Sequence, residues 1–124
     1  LKWLEPYLEL GVTMLPHGKK VVRVGAWTIT NKRVGKNCQA AIYSYDDKKY
    51  KIWMHTHRHP RGEPVGPLSK IDILSNLAHE LAHTISWTHT PQHKELESQI
   101  SRAFMIMLKH DGYISEEEEL KETV

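Results

Sequence analysis

The chain is short of sulfur and of long apolar stretches. Cys38 is its only cysteine in 124 residues. One cysteine excludes an intrachain disulfide and any zinc site built on thiolates, and it suits a reducing compartment. Cys38 falls in a strand-like stretch and reads as a small buried hydrophobe. No apolar run approaches the length of a membrane span, so no membrane contact is expected. The first residues, Leu1 to Pro6, lack a basic segment followed by an apolar block, and an intracellular location, cytoplasmic or nuclear, is expected. No stretch repeats, and there is no sign of a second domain. At 40% hydrophobic and 26% charged residues, the composition is that of one ordinary globular domain over residues 1–124.

Charge is unevenly spread. Residues 1–70 carry 13 Lys and Arg against 5 Asp and Glu, and residues 71–124 carry 4 against 10. The cations cluster around Lys19, Lys20 and Arg23, around Lys32, Arg33 and Lys36, around Lys48, Lys49 and Lys51, and at Arg58 and Arg61. Such a face could meet DNA or an acidic protein. Solvated strands whose lysines block edge pairing are the favoured reading.

Local patterning divides the chain in two. Trp3, Leu4, Tyr7 and Leu8 have helical spacing, with Gly11 as the stop. Residues 21–29, 39–45 and 50–55 are β-rich, and Asp46 to Lys49 fits a hairpin turn between the last two. The three predict a small antiparallel sheet. Prolines 60, 64 and 67 and glycines 62 and 66 make the following stretch a loop. Ser69 with Asp72 then fits a capping box. Ile71, Leu74, Leu77, Ala78, Leu81, Ala82 and Ile85 form the apolar stripe of a helix expected to reach about Trp87. Thr90-Pro91 starts another helix, with Thr as N-cap and Pro in the first turn. Its inner face is Leu96, Ile100, Ala103, Phe104 and Met107, with Met105 and Met107 as core filler and Asp111-Gly112 as its end. The acidic run 116–119 reads as a solvated tail. The whole predicts an α+β fold, a small antiparallel sheet packed against one central helix and further helices.

That central helix carries His79-Glu80-Leu81-Ala82-His83, and His89 follows six positions on. Shuffling this composition gives roughly 0.06 H-E-x-x-H matches by chance. Residues i and i+4 share a helix face, so His79 and His83 can grip one ion while Glu80 holds a water beside it. A catalytic zinc takes three protein ligands and leaves one place open. His89, just past the helix, is the expected third. His93 is a rival, and Glu95 and Glu97 are further rivals. Glu80 is the expected general base for hydrolysis of a peptide bond. His55, His57, His59 and Tyr113 could donate to the oxyanion, with exposed loop residues the simpler reading; His17 and His110 read as surface residues.

At these residues the chain resembles the small zincin-type metallopeptidases of the SprT-like, WLM and YgjP-like groups. They carry H-E-L-x-H, a short spacer, then H-x-P-x-aromatic. Pro91 stands at the proline, and His93 at the aromatic. The cysteines of the SprT-like zinc ribbon are absent. Metzincins share the six-residue step between the second and third histidines but have a glycine midway, where this chain has Ser86. The resemblance implies a zincin-like fold, a Zn2+ cofactor and a protein or peptide substrate, and, from the WLM relatives, action on proteins attached to DNA. Two other readings share the motif: a regulatory peptidase with one dedicated partner, and a nucleic-acid- or protein-binding module whose zinc is structural or vestigial.

Overall fold

The computed structural model describes residues 2–16, 20–27, 40–46, 49–57 and 68–113. Cys38, His17, His59 and the acidic run 116–119 lie outside them. After a 3-10 turn at Lys2–Leu4, the elements run α1 (Glu5–Thr13), β1 (Lys20–Trp27), β2 (Ala40–Asp46), β3 (Lys49–His55), α2 (Lys70–Ala82) and α3 (Pro91–His110). Among the described residues the fold is α+β, with three α-helices and one small sheet.

β3 is the middle strand. β2 pairs with it antiparallel, from Ala40↔Met54 to Asp46↔Lys49, as the hairpin required. β1 does not extend an antiparallel sheet. It lies parallel to β3, from Lys20↔Lys49 to Trp27↔His55. The reason is topological: the strand order is β1-β3-β2, so the chain passes from one edge to the other before the hairpin turns back between them. Strand patterning gives the strands but not which neighbour each one takes.

Alternation along β3 sorts its side chains. Ile52 and Met54 join the main core with Leu74, Leu77 and Leu81 of α2. Tyr50 has the same parity, and its hydroxyl donates to the Thr84 carbonyl at 3.4 Å. At the other end of the strand, the Leu68 N–H donates to the Thr56 carbonyl at 2.8 Å. So β3 and α2 run antiparallel, with the C-terminal end of the helix beside Tyr50.

α2 starts where its cap demands: the Ser69 hydroxyl accepts from the Asp72 N–H at 3.1 Å. It ends earlier than its apolar pattern suggests, at Ala82 rather than near Trp87. From His83 to Ser86 each N–H reaches back three residues instead of four. The β-branched Thr84 and Ile85 favour that tightening, and the Thr84 hydroxyl takes the Leu81 carbonyl at 2.8 Å.

α1 does not stop at Gly11; the residue is buried inside it. A Cβ there would meet Leu81 Cδ1 at 2.6 Å and Phe104 Cζ at 3.1 Å, so glycine permits α1 to press against α2 and α3. Tyr7, on the same helix, meets Phe104 edge to face and donates its hydroxyl to Asp111 at 2.7 Å. α3 buries Ile100, Phe104, Met105 and Leu108. It closes in a Schellman turn: Gly112, at φ 79°, donates to Lys109 and Tyr113 to Leu108.

Candidate metal centre

Four histidine rings converge where the end of α2 meets the start of α3. His79 sits in the last turn of α2, and His83 is its C-cap. The Ser86 hydroxyl then donates to the Thr88 carbonyl at 3.0 Å, and the Thr90 N–H to the same carbonyl at 2.9 Å. The second bond spans three residues, a γ-turn with His89 at its apex. That turn projects His89 back toward the helix. Thr90 next caps α3, its hydroxyl accepting from the His93 N–H at 3.2 Å, with Pro91 in the first turn.

The Nε2 atom of His79 lies 3.2 Å from that of His83 and 3.1 Å from that of His89. Two nitrogens bound at about 2.05 Å on a tetrahedral ion stand about 3.3 Å apart, so the spacing fits a metal. The proton positions agree. His79 Nδ1 lies 2.5 Å from a Glu97 oxygen, and His83 Nδ1 lies 3.0 Å from the Ser86 carbonyl. Both partners only accept, so each neutral ring carries its proton on Nδ1 and turns a bare Nε2 lone pair inward. Facing lone pairs at this distance repel unless a cation lies between them. Burial, the largest cause, lowers the pKa of His83, with the charges of His93 and His89 acting the same way against the Ser86 hydrogen bond. That keeps its lone pair available for a metal.

Glu80 is only 8% exposed. Burial first, and then the charge of Glu97, raises its carboxyl to about 7. A carboxyl titrating near neutral pH is suited to taking up and releasing a proton.

A second grouping, His79, His93 and Glu97, also brings its ligand atoms together. It too could hold an ion, although its spacing fits one less well. The His79–Glu97 separation of 2.5 Å is a hydrogen bond, and His93 Nδ1 stands 3.9 Å from Glu97. The rival ligands therefore take other places. His93 Nε2 donates to the His79 backbone carbonyl at 3.1 Å, Glu97 orients the His79 ring, and Glu95 is exposed. Glu97 as an orienting group was missed in the sequence, although a signal existed. Its place, with His93, on the face that carries Ile100 and Phe104 marks two polar residues on a buried stripe.

Among the described residues, the candidate oxyanion donors lie elsewhere. His55 is buried on β3 with the parity of Trp53, opposite to the Ile52 and Met54 that face α2. His57 lines a pocket with Trp3, Ser69 and Lys70, at the far end of α2. Tyr113 is also at that end, its ring 4.6 Å from the Lys70 ammonium. His110 is exposed on the last turn of α3.

Fold and site together describe an α+β protein with a three-histidine grouping that could hold a metal ion. No family model, no curated protein and no solved structure matches the chain. No helix among the described residues is long and apolar enough to cross a membrane.

Proposed function

We propose that this chain is a zinc-dependent metallopeptidase in which His79, His83 and His89 hold the ion and Glu80 is the general base. One observation carries the reading: three imidazoles whose Nε2 atoms converge, with a buried carboxyl poised near neutrality next in sequence to the first of them. Three nitrogen ligands with a place left open are the catalytic zinc arrangement, whereas structural sites close with a fourth. Zinc, when bound, supplies Lewis acidity and lowers the pKa of a coordinated water to about 7. Glu80 takes the proton of the attacking water and returns it to the departing amine. An open pocket of about 530 Å³, lined by His79, His89, His93, Lys94 and Glu97, adjoins the histidines and gives solvent a way to their edge.

The test is metal content and casein cleavage for the wild type beside Glu80→Gln. The expected result is one zinc in each protein and cleavage by the wild type alone. Equal activity in the two would remove Glu80 from the reaction, and a wild type without metal would sink the proposal. A protein crosslinked to DNA, added as a second substrate, examines whether the clustered cations of the first half direct the enzyme to DNA-bound targets.

A further inference from the structure

We propose that His93 is a positioning residue for the metal centre, holding ligand His79 by its backbone and ligand His83 by its ring. The need for it arises from the way α2 ends. In a continuing helix the His79 carbonyl would accept from the N–H four residues on, that of His83. Here the His83 N–H goes to the Glu80 carbonyl at 3.1 Å. The His79 carbonyl is one of the last of the helix and keeps a lone pair for a further donor, at the point where its own side chain must be held still. His93 Nε2–H takes it at 3.1 Å.

The contact is well placed to be rigid. His93 is 0% exposed. Its backbone is fixed by the Thr90 cap, through the same N-terminal turn of α3 that follows the His89 apex. Its ring lies 4.2 Å from the His83 ring, centroid to centroid, at 35°. A third contact completes the cradle: one turn along α3, Glu97 takes the His79 Nδ1 proton. So α3 fixes the ring of His79 through Glu97 and its backbone through His93. Partners of this kind, one step removed from the ion, change metal affinity by about 10- to 100-fold.

This inference rests on the metal site and not on peptidase activity, so its test reads the metal. Zinc affinity by chelator competition and the visible spectrum of the cobalt-loaded chain are measured for wild type, His93→Gln, His93→Phe and His93→Asn. The glutamine amide nitrogen falls near the place of Nε2 and can still donate to the carbonyl. Phenylalanine keeps the ring without the donor, and the shorter asparagine stops short of the carbonyl, serving if the Phe variant does not fold. The expected outcome is affinity within about threefold of wild type and an unchanged spectrum for Gln, with Phe and Asn weakened about 10- to 100-fold. Wild-type affinity in Phe and Asn would overturn the positioning role. Equal loss in all three variants, with one nitrogen fewer around the metal by X-ray absorption, would overturn it in favour of direct ligation. A wild type that binds no metal would take the metal site down with it.

Discussion

A Glu97 carboxylate oxygen and His79 Nδ1 lie 2.5 Å apart, linking α3 to the first histidine of the H-E-x-x-H run. A charge-assisted bond of this kind fixes the tautomer and the tilt of the ring. Replacing Glu97 by Ala frees the ring and lets the proton move to Nε2. Zinc affinity should fall about 10- to 100-fold, with the fold retained. Chelator competition and far-UV circular dichroism check both halves, and unchanged affinity would show that the contact does not serve the metal.

The carboxyl of Glu80 carries a pH signature in the metal-free protein. Its pKa is about 7 in the fold against an ordinary 4.5. Between those values the folded chain holds a proton that the unfolded chain has released, so this group's contribution to stability falls as pH rises from about 4.5 to about 7. Glu80→Gln lacks the effect. Its stability advantage over wild type, measured by urea unfolding in the presence of chelator, should grow across that window to the order of 3 kcal/mol and then level off. Taking the difference removes the opposite slope from His83, whose pKa is lowered. Parallel profiles for the two proteins would refute the assignment.

Thr90 serves two structures at once: it caps α3 through the His93 N–H and it closes the γ-turn at His89. Thr90→Ala should cost about 1 kcal/mol of stability through the lost cap. Thr90→Ser keeps the hydroxyl and should restore most of it. Urea midpoints of the three proteins decide, and an Ala variant as stable as wild type would deny the cap any energetic role.

Gly112 gives a control at the opposite end of the molecule. It sits at φ 79°, and a Cβ there meets nothing within 4 Å. Any cost of Gly112→Ala is therefore conformational, about 1 kcal/mol, with zinc affinity unchanged. A large fall in affinity would mean that the α3 terminus communicates with the histidines.

Much of this architecture was legible because it is local. Ser69 and Thr90 announced their caps, Asp46 to Lys49 announced the hairpin, and the i, i+4 step placed His79 and His83 on one face. The parts that were not legible depend on contacts distant in sequence. Nothing in residues 21–29 says that the strand lies parallel to β3. Gly11 reads as a stop until Leu81 and Phe104 are seen against it. The apolar pattern through Ile85 extends the helix past the point where the backbone tightens. Glu97 reads as a rival ligand because sequence shows a carboxylate within reach but not which atom it meets.

Of the three converging histidines, His89 alone is exposed, and it alone is set on the γ-turn rather than at the end of α2. In the proposed metal centre, withdrawing that one side chain would leave an ion held by two imidazoles and open to solvent. Loading and release then have a single movable gatepost. On that proposal the rate of metal exchange would follow the turn from Thr88 to Thr90, and the strength of binding would follow the helices behind it.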